Sequence, residues 1–118
     1  MQPIEIRLRK NSRVLAIAFD DGSEFEYTFE YLRVHSPSAE VVGHGPGQET
    51  LQTGKEDVTV TAIDPVGHYA VRLVFDDGHD TGLYSWTYLY DLGRNMQANW
   101  LSYLDRLAAA GYARKKPE

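Results

Sequence analysis

The chain has 118 residues, a formal net charge of −5 and no cysteine. One domain spanning residues 1–118 is expected, because a chain of this size buries about two-thirds of its unfolded surface and needs no covalent staple. Disulfides, thiolate zinc sites and iron–sulfur ligation are excluded, a reducing cytoplasm fits, and the acidic balance argues against a nucleic-acid partner.

Ile4, Ile6 and Leu8 alternate with Glu5, Arg7 and Arg9, the period-two signature of a half-buried strand. Asn11-Ser12 reads as a turn, and Val14 to Phe19 as a second strand with Leu15, Ile17 and Phe19 on one face. That run is also the longest apolar stretch, far too short to span a membrane. The segment Met1 to Glu5 shows no basic patch leading into an apolar run, so no signal peptide is expected. Asp20-Asp21-Gly22-Ser23 predicts a tight turn with Gly22 at positive φ. Glu24 to Phe29 predicts a third strand, with Glu24 and Glu26 joining Asp20 and Asp21 in a solvated carboxylate face.

The pattern then recurs. Val71 to Gly78 echoes Leu15 to Gly22, including an identical Phe-Asp-Asp-Gly run, and Thr87-Tyr88-Leu89 echoes Glu30-Tyr31-Leu32 after one inserted residue. Both units read as strand, turn, strand and short helical turn. Val58 to Ile63 predicts the strand before the second hairpin, ended or bulged by Asp64-Pro65-Val66-Gly67, with Tyr69 to Phe75 following. His68 is read as ordinary surface. Ser85 is placed to cap a helix running to Leu92, with Gly93 ending it. Met96, Trp100, Leu104 and Leu107 mark one face of a final helix, with Asn95 as its N-cap and Gly111 just past its end. That face is expected to pack on the sheet, and Trp86 and Trp100 to act as packing anchors. Full burial of Trp100 implies a loss of about 3–5 kcal/mol on truncation to alanine. The basic end, Arg114-Lys115-Lys116, is read as frayed and solvated. The fold class is therefore α+β: small, mostly antiparallel sheets built from two similar hairpin units, with short helices and a C-terminal helix.

Between the units, Val42 to Lys55 is glycine-rich and aperiodic, which reads as a mobile loop. Gly43-His44-Gly45-Pro46-Gly47-Gln48 has glycines enough to converge amides on an anion, but no Gly-Lys-Ser/Thr follows and it is not a P-loop. His79 lies beside Asp76, Asp77 and Asp80. No Gly-x-Ser-x-Gly elbow occurs, and no serine, histidine and acid can be singled out as a triad.

Two separated stretches carry a resemblance. Leu32-Arg33-Val34-His35-Ser36-Pro37-Ser38-Ala39-Glu40-Val41 and Asp76-Asp77-Gly78-His79-Asp80-Thr81-Gly82-Leu83-Tyr84-Ser85-Trp86 resemble the gamma-butyrobetaine hydroxylase-like N-terminal domain family, which also occurs as a free-standing domain of unknown function. The metal-binding members carry Cys-Pro-Cys-x-x-Cys in the first stretch and a histidine after the turn in the second. Here Ser36, Ser38 and Val41 stand at the cysteine positions and His79 alone persists. The hydroxylase's iron-binding jelly roll has no counterpart in the chain, so its activity is not carried over.

The resemblance implies a non-enzymatic accessory module with a protein partner. Related domains are fused to scaffold ATPases of iron–sulfur cluster assembly and to the oxygenase. The alternative is a metal-binding or metal-delivery domain using His79 with the nearby His35 and His44. No cofactor and no tight metal are expected. The expected binding residues are Ser36, Ser38, His44 and His79, with the first, second and fourth converging because the family groups them around its metal, and the Gly43 to Gln48 loop close by.

Overall fold

Alternating side chains build two antiparallel sheets. In the computed structural model, which describes residues 1–45 and 47–115, β1 (Pro3–Arg9), β2 (Val14–Phe19) and β3 (Glu24–Thr28) form one sheet in that order. β4 (Val60–Val66), β5 (Ala70–Phe75) and β6 (Leu83–Ser85) form the other. Each first strand carries a register shift against its neighbour, between Pro3 and Glu5 and between Val60 and Ala62. The helices are α1 (Phe29–Val34), α2 (Ala39–Val42), α3 (Trp86–Arg94) and α4 (Met96–Ala109). No helix among the described residues is long and apolar enough to cross a membrane.

The two Asp-Asp-Gly runs are hairpin turns of the same design. Gly22 has φ +89° and Gly78 φ +90°, the left-handed region that a side chain disfavours. Phe19 N–H donates to the Ser23 carbonyl at 2.8 Å, and Phe75 N–H to the His79 carbonyl at 3.0 Å. Asp21 and Asp77 each accept from the backbone N–H two residues on, at 2.9 and 3.2 Å. Each unit then turns into a helix through a hydroxyl cap: Thr28 Oγ1 accepts from Tyr31 N–H and Ser85 Oγ from Tyr88 N–H, both at 3.1 Å. The Thr28 cap ends β3 one residue before the expected limit and makes Phe29 the first residue of α1.

The units also hold each other reciprocally. Tyr27 donates to the Leu89 carbonyl at 2.7 Å, and its equivalent Tyr84 donates to the Leu32 carbonyl at 2.6 Å. Tyr31 donates to Leu92 O at 2.6 Å and Tyr88 to His35 O at 2.5 Å. Burial pushes these phenols up, Tyr88 to about 12, so each stays a donor. Leu15, Ile17, Phe19 and Tyr27 of one unit share a core with Val71, Leu73, Phe75 and Tyr84 of the other. The repeat is thus a pseudo-twofold pattern of contacts about one shared core.

Four expectations change. Gly93 lies inside α3 rather than ending it, and a Cβ there would run into the Phe25 ring. β4 continues through Pro65 to Val66, because an outer strand tolerates proline. α4 bridges two clusters: Met96 and Trp100 pack against the main core, as expected, while Tyr103 and Leu107 form a second cluster with Val34 of α1 and Leu51. Its buried residues are Tyr103 and Leu107, while Trp100 is only half-buried. The basic end is docked: Arg114 holds Glu30 through two nitrogens at 2.9 and 2.5 Å, its guanidinium lies 5.2 Å from the Trp100 ring centre, and Lys115 reaches Asp57 at 3.0 Å. Lys116 lies outside the described residues.

Candidate functional site

The end of α1, the start of α2 and the β5–β6 turn meet at one pole of the molecule. Ser38 caps α2, its Oγ accepting from Glu40 N–H at 3.2 Å. This places Ser36 just before the helix and Glu40 in its first turn. His79, fixed by the hairpin turn, inserts between them. Its Nε2 lies 2.7 Å from Ser36 Oγ and its Nδ1 2.9 Å from Glu40 Oε2. Ser36 Oγ also accepts from Ser38 N–H at 3.2 Å, and Ser38 Oγ lies 2.6 Å from Thr81 Oγ1. Ser36 is 0% exposed and His79 5%, whereas the Glu40 side chain is 62% exposed.

Burial lowers the His79 pKa, and the Arg33 charge lowers it further, against the opposing pull of Glu40. The ring is therefore neutral at pH 7. A carboxylate only accepts, so the proton sits on Nδ1 toward Glu40, and the bare Nε2 accepts from the Ser36 hydroxyl. The result is a Ser36–His79–Glu40 relay that orients an exposed carboxylate from beneath. Beside it, Asp77 receives Arg33 Nε at 2.9 Å and Lys55 Nζ at 2.7 Å. Burial opposes the Asp77 charge, but Lys55, the His79 amide and Arg33 outweigh it and hold its pKa at about 2.

Three expected site residues, Ser36, Ser38 and His79, come together. His44 does not join them: it is exposed in the loop after α2, where its backbone N–H donates to Gln48 Oε1 at 3.2 Å. That loop folds on itself. Gly43 has φ +73°, and a Cβ on it would strike the Gln48 backbone. Gly45-Pro46-Gly47 contains Pro46, which lies outside the described residues. His35 turns the other way, its Nδ1 lying 3.0 Å from the Tyr31 carbonyl and its ring between Tyr31 and Tyr103. Burial lowers its pKa.

The serine–histidine–acid order that the sequence did not reveal is the geometry of a triad without a reachable nucleophile, since Ser36 is sealed. Nor do these residues fit the zinc of the family's cysteine-bearing members. Both His79 nitrogens are engaged, Val41 has no donor atom, and no group of three or more metal-ligating side chains occurs among the described residues.

The pseudo-twofold supplies an internal control. The equivalent of Ser36 is Gly93, that of Gly82 is Phe25, that of Arg33 is Tyr90 and that of His79 is Ser23. At the site pole Ser36 Oγ would lie 2.5 Å from a Cβ on Gly82. At the opposite pole the Phe25 ring fills the space over Gly93, edge-on to Phe19 and Tyr90 with centroids 6.0 and 5.7 Å apart. Tyr90 reaches Asp21 at 2.6 Å as Arg33 reaches Asp77. The same scaffold position is thus packed with aromatic rings in one unit and with a hydrogen-bonded polar cluster in the other. Sequence reasoning missed Glu40 and Thr81. Their spacing from Ser38 on α2 and from His79 on the turn was visible, but their meeting across units was not.

The family model for the gamma-butyrobetaine hydroxylase-like N-terminal domain matches residues 6–90. The chain belongs to that family. It is similar to two proteins of known solution structure: one 54% identical, with 96% of this chain and 84% of that one covered at a TM-score of 0.81, the other 44% identical, with 99% and 92% covered at 0.83. It is also similar to a crystal structure of a protein of unknown function of the DUF971 family from Acidithiobacillus ferrooxidans, 47% identical over 78% of this chain and 92% of that one, with a TM-score of 0.65. No curated protein matches the chain.

Proposed function

We propose that the chain is a non-enzymatic accessory module that binds a protein partner in the cytoplasm through the pole formed by Glu40, Thr81 and the edge of α2. The observation that carries this reading is the inequality of the two poles. Where the fold alone needs filling, Phe25, Gly93 and Tyr90 suffice. The polar relay at the other pole exceeds that need and presents a fixed, exposed carboxylate.

The sealed Ser36 supports a binding role over a catalytic one. The cleft beside Ser36 and His35 has a volume of about 120 Å³, below the roughly 300–1,000 Å³ of small-molecule pockets, which favours a protein surface as the ligand. A carboxylate oriented by a buried imidazole suits a basic side chain on the partner. The resemblance directs the search for that partner toward a scaffold ATPase of iron–sulfur cluster assembly or an oxygenase. Metal delivery has less support, because His79 has no free nitrogen.

The test is affinity capture from native lysate with matched variants at the two poles. Proteins retained by the wild type are expected to be lost with Glu40→Lys and with Thr81→Arg, and kept with Glu24→Lys at the aromatic pole. Equal retention by all of these chains would defeat the assignment.

A further inference from the structure

The two sheets have equivalent outer strands, β1 and β4, but they treat the open edge differently. Phe19 N–H bonds toward β3, and backbone groups alternate along a strand. Ala18, Ala16 and Val14 therefore face β1, where they pair with Glu5, Arg7 and Arg9. This leaves the backbone groups of Ile6 and Leu8 directed at the open edge. In the second sheet, Phe75 N–H bonds to the β6 side, and the same alternation directs Ile63 and Pro65 outward. Pro65, the equivalent of Leu8, has no N–H to offer. β4 is thereby closed to another strand. β1 is not: Ile4 is 70% exposed and Ile6 38%.

We propose that β1 is a self-association edge, pairing antiparallel with β1 of a second copy across a twofold axis through Ile6. In that register Ile6 faces its twin and exchanges both amide-to-carbonyl bonds with it. Ile4 faces the partner copy's Leu8, and Glu5 faces the partner copy's Arg7. Charges on an edge strand ordinarily discourage pairing, but here they are self-complementary. Moving the axis one residue either way sets Glu5 against Glu5, or Arg7 against Arg7. Registers that pair even with odd positions set isoleucine against charge. Of these, the Ile6-centred pairing joins opposite charges on one face with no like-charge pair, and covers the overhanging isoleucines on the other. Within one copy Glu5 and Arg7 already form an ion pair, so association exchanges partners without stranding a charge.

The interface is small and the association correspondingly weak. Sedimentation velocity across roughly 10 µM to 1 mM, the range such an interface requires, is expected to show a monomer–dimer equilibrium for the full chain. Glu5→Arg alone and Arg7→Glu alone each set two like-charge pairs across the axis and weaken association about tenfold or more. An equimolar mixture of the two variants restores it, because each supplies the charges the other lacks. Both positions are exposed, and circular dichroism verifies that the variants fold. A wild type that stays monomeric over this range overturns the proposal. So does a dimer indifferent to both substitutions.

Discussion

Gly82 shows how closely the site is built. A Cβ there would meet Ser36 Oγ at 2.5 Å and the Tyr84 ring at 3.2 Å. Gly82→Ala is expected to push Ser36 away from His79 and cost about 1–3 kcal/mol, the usual penalty of overpacking, measured as a lower urea midpoint. Elemental analysis of protein purified without a histidine tag is expected to find neither zinc nor iron at one per chain. One metal per chain, abolished by His79→Ala, would overturn the relay. At this scale the sequence was only partly legible. The convergence of Ser36, Ser38 and His79 was legible because a family pattern marks them. Glu40 was missed because a glutamate in the first turn of a short helix carries no signal of its own. His44 lies outside the hydrogen-bonded cluster and the His35 ring faces Tyr31 and Tyr103; proximity in sequence does not reveal which way the residue after α1 turns or how the Gly43 loop folds back.

Among the elements, the hydroxyl caps and the final helix carry the energetics. Ser85→Ala removes the acceptor for Tyr88 N–H and is expected to cost about 1 kcal/mol. On α4 the anchor is Tyr103, 1% exposed, with its hydroxyl donating to the Gln52 carbonyl at 2.6 Å. Tyr103→Ala is expected to cost about 3–5 kcal/mol and Trp100→Ala clearly less, the reverse of the order that helical periodicity implies. Chemical denaturation of the two variants checks this. Periodicity placed α4 and its Trp100 contact with both clusters, and missed the more deeply buried Tyr103, because a tyrosine counts as half-polar until its hydroxyl finds a partner. The strands and both Asp-Asp-Gly turns were legible because alternation and positive-φ glycines are local signals. Gly93 misled, since a glycine demanded by a ring packed against it looks in sequence like a helix stop.

For the whole molecule, the reciprocal tyrosine–carbonyl bonds join the halves. Tyr27→Phe and Tyr84→Phe each remove a buried hydrogen bond between the units and are expected to cost about 0.5–1.5 kcal/mol. Stability is also tied to pH. His79 and His35 have folded pKa values below the unfolded value of 6.5, so the unfolded chain binds protons first as the pH falls. Unfolding free energy should therefore be maximal above pH 6.5 and decline below it. A second loss follows as Asp77 protonates between its unfolded value of 3.8 and about 2. Urea titrations at stepped pH check both windows.

His79 is the hinge of the site, a neutral ring between Ser36 and Glu40. Nitrogen-15 NMR of the imidazole reads this directly. The predicted spectrum is a neutral ring with Nδ1 protonated and Nε2 bare, a titration midpoint below 6.5, and no change on adding zinc. A ring protonated on Nε2, a midpoint above 6.5, or a zinc-induced shift abolished by His79→Ala would contradict it.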